Sequence, residues 1–346
     1  MSLTIVACML CLVMVAGWVG LFTANLIGLD ASAFSHMQST LTADDVSKTA
    51  AVSLPQLVTS LIPTNIFLDL TGARSVSVIG VVIFTLLAGV ALLKVKKEAP
   101  EEGKKLSSGI QIWVMKMVRI VIALTPYGVM ALMAKVFSTY QLAQFTSLLG
   151  FIAACYLAVA MMFIVHATLL VISGHNPLLY YKTVWPVLTF AFVSRSSAAS
   201  IPLAITAQEK FGVPNTIANI AASFGSSMGQ NGCAGIYPAI MVAMIAPTLG
   251  IDPLSFSFLA TLLPAIALGS IGVAGVGGGG TFAALIVLST LNFPVALVGI
   301  FIAIEPIVDM ARTALNVNGS MMSGVLATRL LKKQSEEARR GASLTE

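Results

Sequence analysis

The chain reads as an all-α polytopic membrane protein, on three observations. Of its 346 residues, 57% are hydrophobic and 10% are charged, with a mean hydropathy of +0.94, leaving too little polar surface to cover a soluble globule of this size. The apolar residues fall into runs near or above the roughly 20 that a helix needs to cross the hydrocarbon. One of these runs contains Glu305, Asp309 and Arg312. A charge at membrane depth costs at least about 2.5–3.5 kcal/mol on insertion scales, so each should face a partner, a cavity or a ligand.

The elements follow in order. Residues 1–29 lack a basic leader region and a small-residue cleavage site, and their apolar run exceeds a signal-peptide core, which predicts a retained spanning helix. Continuous spans are predicted at about 3–28, 66–95, 109–138, 145–173, 216–246 and 297–329, about six in all. The net charge of +5 gathers at Lys94, Lys96, Lys97, Lys104 and Lys105 and again at Arg329, Lys332, Lys333, Arg339 and Arg340. Such short basic loops predict cytoplasmic retention at a cell inner (plasma) membrane, with a cytoplasmic C-terminus, and not nucleic-acid binding. The connection at 29–52 sets Asp30, Asp44 and Asp45 against Lys48 and is placed on the other side. The polar tail at 332–346 is expected to fray.

Two regions break the pattern. Between 182 and 211, the apolar arm 183–193 has only about 11 residues before Ser194-Arg195-Ser196-Ser197, too few to span, and predicts a re-entrant hairpin. Between 253 and 295, the glycine-rich stretch 269–280 predicts a second hairpin with unwound backbone, which survives at membrane depth only where it is buried in protein or lines a cavity. Loop charges alone accept either two hairpins or two extra spans; the short arms favour hairpins. Cys8, Cys11, Cys155 and Cys233 all lie in apolar sequence and are read as forming neither a CxxC spacing nor a Cys/His cluster of the kind a metal site needs, so neither a disulfide nor a metal site is expected.

At roughly 100° per residue, Asp309, Arg312, Thr313, Asn316 and Ser320 fall within about 80° of Glu305 on one helix face. An anion, a cation, an amide and hydroxyls on that face suit a small ligand bearing both an ammonium and a carboxylate. There is no HExxH, no helix-borne Ser/His pair and no paired Asp motif, which argues against a membrane enzyme. A channel would draw on rings of like charge or carbonyls, unlike this pair.

Several motifs resemble the dicarboxylate/amino acid:cation symporters, the glutamate and aspartate transporter family. They are Ala191-Phe-Val-Ser-Arg-Ser-Ser197, Gly272-Val-Ala-Gly-Val-Gly-Gly278, Asp309-Met-Ala-Arg-Thr-Ala-Leu-Asn-Val-Asn-Gly319, Ile62-Pro-Thr-Asn65 and Thr125-Pro-Tyr-Gly128. The similarity covers nearly the whole chain. Gly229-Gln-Asn-Gly-Cys-Ala-Gly235 and Ile304-Glu-Pro-Ile-Val-Asp309 look like its L-cystine uptake branch. The resemblance implies a glutamate-transporter-like fold with two re-entrant hairpins, at about 182–211 and 255–293. Residues 1–29 match the third helix of that fold, on the transport-domain side, so that part of the scaffold lies outside the chain. An extracytoplasmic connection at 30–65, partial scaffold helices at 66–138, a transport domain at 139–330 and a tail at 331–346 complete the expected division. The chain departs from the family's Asn-Met-Asp-Gly-Thr motif, where the cation-holding Asp is Asn231, and again at Ser320, where another such Asp is replaced.

The resemblance also implies roles. Asp309 would accept an ammonium and Arg312 would clamp a carboxylate with its planar guanidinium. Thr313 and Asn316 would add a hydroxyl and an amide, or else serve helix packing. Ser196 and Ser197 lie at the first hairpin tip, one expected to cap and Ser197 to touch ligand; Gly275, Val276 and Gly277, with Gly278, would form a tip closing over substrate through backbone N–H groups. A sodium site would use the carbonyls of Ser270, Ile271 and Val273 and the Ser227 hydroxyl. Glu305 is either a proton site or a neutral hydrogen-bonding group. Arg195, Lys116 and Arg119 are expected to snorkel or pair, His36, His166 and His175 to sit incidentally at ends or loops, and Cys233 to be a small buried side chain. The implied activity is symport of L-cystine with Na+ or H+, without a cofactor, by elevator-type alternating access in a homotrimer embedded in lipid. A glutamate, aspartate or C4-dicarboxylate symporter is the alternative.

Overall fold

Every described element is helical, as a chain that must satisfy its backbone in lipid requires. The computed structural model describes residues 1–29, 64–71, 142–271, 273, 278–293, 298–301 and 304–343, with scattered positions between 84 and 134. The chain divides into two units, Met1–Ala50 with Lys135–Glu346, and Ala51–Ala134.

The first unit begins with α1 (Ser2–Ile27), which ends at Gly28 in the left-handed conformation. The short α2 (Ile66–Leu70) belongs to the second unit and is capped by Asn65, whose Oδ1 accepts from the backbone N–H groups of Phe67 (2.9 Å) and Leu68 (3.4 Å). Back in the first unit, α3 (Leu142–Ile172) is followed by a helix-turn-helix pair, α4 (Pro177–Ser194) and α5 (Ser197–Phe211). Asn176 caps α4, and Ser196 caps α5 by accepting from Ala199 N–H at 3.1 Å. Then come α6 (Asn215–Gly225), a π-helical turn (Asn231–Ile236), α7 (Tyr237–Ile245) and a 3₁₀ turn (Ala246–Leu249). A second pair, α8 (Phe256–Gly269) and α9 (Gly279–Thr290), precedes α10 (Val298–Phe301) and the long α11 (Glu305–Ser343).

Among the described residues, three stretches are long and apolar enough to cross a membrane: Ser2–Ile27, Leu148–Ile172 and Asn231–Leu249. The chain is a multi-pass membrane protein. Both helix pairs are made of shorter arms.

Three expectations are corrected. The span expected at 216–246 is not continuous: α6 stops at Gly225, and the chain turns through Ser226–Gln230, with Gly229 at φ 67°, before the π-helical turn. The first arm of the first pair starts at Pro177 and has 18 residues, because Asn176 caps it well before position 182. The last helix begins at Glu305, not near 297, and remains helical through Ser343 instead of fraying at 332.

The core of the first unit forms where small residues let backbones approach. A Cβ on Gly20 would lie 2.9 Å from the Ile236 carbonyl, and one on Gly235 would lie 2.8 Å from the Val13 carbonyl. Thus α1 seats directly on the π-helical turn, which in turn packs on α11. That stacking brings the charged face of α11 against a break in helical structure.

Candidate functional site

The site is built on the first turns of α11. Arg312 is fully buried, and Asp309, Asn316 and Glu305 are nearly so. The Arg312 stem rests on Gly232, where a Cβ would come within 2.7 Å of the Arg312 Cα. Its guanidinium carbon lies 4.1 Å from the centroid of the Tyr237 ring, a cation–π contact that offsets some of the cost of burying the charge. Nη2 donates to Asp309 Oδ1 (3.3 Å) and Glu305 Oε1 (3.4 Å). Nε and Nη1 have no hydrogen-bond partner among the described residues. Nη1 lies over Gly280, where a Cβ would overlap it.

Asp309 has a second cation. Arg195, left-handed at φ 52° at the turn between α4 and α5, donates from Nε to Asp309 Oδ2 at 3.1 Å. Glu305, Asp309, Arg195 and Arg312 therefore form a cluster of two carboxylates and two guanidinium groups with no net formal charge.

The same face caps two helix starts, whose first N–H groups have no partner within their own helix. Asn316 Oδ1 accepts from the backbone N–H of Gly232 (2.7 Å) and Cys233 (3.3 Å), the opening of the π-helical turn. Glu305 accepts from Thr281 N–H (3.3 Å) and Thr281 Oγ1 (2.7 Å) at the start of α9. A carboxylate there also meets the positive end of the helix dipole. Asn316 Nδ2 donates to Gln230 Oε1 (3.3 Å) and Cys233 Sγ (3.0 Å), while the Cys233 thiol faces Asp309 Oδ1 at 3.7 Å.

The expected binding residues are thus partly brought together. Asp309, Arg312 and Asn316 form one network, with buried Thr313 on the same helix. Ser196 is the α5 cap, and Ser197 is buried at the first position of that helix. Gly275, Val276 and Gly277 lie outside the described residues. Of the expected cation ligands, Ser270 Oγ donates to Ala267 O (2.8 Å) and stands 3.4 Å from Gly229 N–H; Ser227 Oγ donates to Phe224 O (3.3 Å). Ile271 is exposed. The Val273 carbonyl already accepts from Gln230 Nε2 (3.3 Å), which also donates to Ser226 O (2.7 Å). Ser320 Oγ donates to Ala221 O at 2.8 Å.

Sequence reasoning missed Gln230, Tyr237, Gly280 and Thr281, whose roles come from elements remote in the chain. It also misplaced His166, which is not at an end or loop. His166 is fully buried inside α3, with its ring nitrogens on the side-chain amides of Asn231 and Asn318. Lys116 is exposed within the second unit, and Arg119 lies outside the described residues. Cys8 and Cys11 do stand at C-x-x-C spacing on α1, but all four cysteines are free, and no His/Cys/Asp/Glu group suited to a metal occurs among the described residues.

Comparison with known proteins agrees with this architecture. The model of the sodium:dicarboxylate symporter family matches residues 1–330. An uncharacterized symporter of Haemophilus influenzae is 52% identical over 294 residues, covering 84% of this chain and 67% of that protein. The L-cystine uptake protein TcyP of Bacillus cereus is 52% identical over 289 residues, covering 82% of this chain and 62% of that protein. TcyP of Bacillus licheniformis is 51% identical over 290 residues, covering 83% and 63%. The match thus spans somewhat under two thirds of the length of the TcyP proteins. These relatives are named as transporters, not enzymes. The chain belongs to the sodium:dicarboxylate symporter family.

Proposed function

We propose that the chain carries the substrate site of a secondary active symporter that imports L-cystine together with a cation. The observation that carries this reading is the unpartnered Nη1 and Nε of a fully buried Arg312 inside a cluster of zero net formal charge. Buried donors without partners cost about 1–3 kcal/mol each, and a ligand carboxylate at Arg312 removes that cost. Cystine is zwitterionic at each end. Its ammonium takes Asp309 in exchange for the Arg195 guanidinium, and a carboxylate takes the free edge of Arg312, so cluster and ligand pair without excess charge. A dicarboxylate without an amine has no cation to exchange for Arg195 at Asp309 and would bring two negative charges to a cluster that is already balanced. The identity with the L-cystine uptake proteins supports the same substrate.

In this reading, Ser197 and the glycines at 275–277 line the ligand from the two hairpin tips, with Thr313 beside Arg312. The first unit is the transport domain, and residues 66–138 form part of the scaffold of a homotrimer that works by elevator-type alternating access. The C-terminus is cytoplasmic. The test is uptake of radiolabelled cystine into proteoliposomes holding the purified chain, with aspartate and succinate as competitors. Saturable uptake that exchanges against internal cystine and resists both competitors is expected; absence of saturable cystine uptake rejects cystine as the substrate, and displacement by aspartate or succinate at equal concentration rejects selectivity for it.

A further inference from the structure

A buried polar chain crosses the unit beside the substrate site, and the transport chemistry above does not use it. Tyr180 on α4 donates from its hydroxyl to Asn318 Oδ1 at 3.1 Å. Asn318 Nδ2 lies 2.7 Å from His166 Nδ1, and the Asn231 amide nitrogen lies 3.1 Å from His166 Nε2. All four side chains are fully buried. The groups facing the imidazole are neutral: Asn231 from the π-helical turn, Asn318 from α11, and the Phe163 ring of α3 edge-on at 6.5 Å, with Tyr180 and Tyr181 of α4 beyond them.

The hydrogen-bond inventory fixes how this chain is wired. A neutral imidazole has one N–H and one lone pair, whereas an amide nitrogen only donates. With Asn318 as it stands, its oxygen takes the Tyr180 hydroxyl and its N–H goes to Nδ1, so Nδ1 carries the lone pair and Nε2 the proton; turning Asn318 over instead would take the acceptor from the Tyr180 hydroxyl and still leave Asn231 Oδ1 without a partner. Nε2–H needs an acceptor, and the Asn231 Oδ1 is buried without a partner. Turning the Asn231 amide over satisfies both at once, since the oxygen and nitrogen of an amide are interchangeable in shape. Gly319 leaves room for it: a Cβ there would lie 2.9 Å from the Asn231 Cγ.

We propose that His166, held as the neutral Nε2–H tautomer, is a positioning residue of the transport site. It fixes Asn231, and with it the π-helical turn whose next two N–H groups bind Asn316 Oδ1. The imidazole is thus enclosed by the chain's own neutral groups. The link to substrate binding rests on the cystine reading above.

The test uses the full chain in nanodiscs, with His36 and His175 replaced by Gln so that His166 is the remaining histidine. Its ¹⁵N-imidazole signals at neutral pH should show a protonated Nε2 and a bare Nδ1; an imidazolium or an Nδ1–H tautomer overturns the proposal. Cystine binding gives the second readout. His166→Leu should weaken it about tenfold or more, since two buried amides lose a partner, and His166→Gln, which keeps a donor at the Nε2 position, should recover most of the loss. Wild-type affinity in a folded His166→Leu variant overturns the positioning role. A wild-type chain that does not bind cystine counts against the substrate alone, and the tautomer then decides for His166.

Discussion

At the scale of single residues, the candidate site centres on one guanidinium, part of whose edge meets its own chain and part of which has no partner among the described residues. Removing it leaves Glu305 and Asp309 buried with one cation fewer. Arg312→Ala is expected to weaken cystine binding by about 2–4 kcal/mol, read by calorimetry on folded protein, and Arg312→Lys should not rescue it because an ammonium cannot reproduce the planar fork. Unchanged affinity in Arg312→Ala would sink the assignment. Gly280 gives a sharper probe, since the only change is a methyl group at the position of Nη1. Gly280→Ala should leave the protein folded and reduce cystine affinity about tenfold, because the guanidinium must shift from its place over Tyr237. A Gly280→Ala chain with wild-type affinity would mean that Nη1 is not a ligand contact.

At the scale of elements, α11 acts as a cap for others. Its Asn316 closes the start of the π-helical turn and its Glu305 closes the start of α9, so two broken regions are held by side chains of the polar network around Arg312. A cap of this kind is worth about 1 kcal/mol. Losing the hydroxyl in Thr281→Val should loosen the first turn of α9. Hydrogen exchange at the amides of residues 281–283 should rise several-fold while that of α3 stays unchanged. Equal exchange in both proteins would show that Glu305 does not latch this arm.

At the scale of the whole molecule, the proposed symport is tested through its coupling ion. Asn231 is engaged with His166, Ser320 with Ala221, and the Val273 carbonyl with Gln230. A sodium ion at the Ser270–Val273 backbone would share the Val273 carbonyl with the Gln230 amide, whereas a proton needs only Glu305. With sodium coupling, uptake into proteoliposomes should rise with external sodium, and Ser227→Ala should weaken that dependence. Acid-driven uptake without sodium, abolished in Glu305→Gln, would assign the proton instead. Accumulation that ignores both gradients would reject symport and leave exchange.

Membrane placement, the family and the polar face of α11 were legible in the sequence, because hydropathy and helical periodicity are local properties and a charge in an apolar run stands out by its cost. The angular reading placed Glu305, Asp309, Arg312 and Asn316 together, and they are joined in one network, Asn316 through the Cys233 thiol. The partners were not legible. Nothing local to Arg195 says that it reaches Asp309, 114 positions away, and nothing in an apolar stretch such as Val165-His166-Ala167 shows that the imidazole meets Asn231 and Asn318. The break at Ser226–Gln230 was hidden for a related reason: its neighbours are apolar enough to read as one span, and the backbone groups at and just after the break are met by side chains remote in sequence, Ser270 at the end of α8 and Asn316 of α11. The sequence by itself thus determined which residues must avoid lipid and on which helix face they stand. Tertiary structure decided which of them meet, because a buried donor or charge takes whatever complementary group the fold brings within reach.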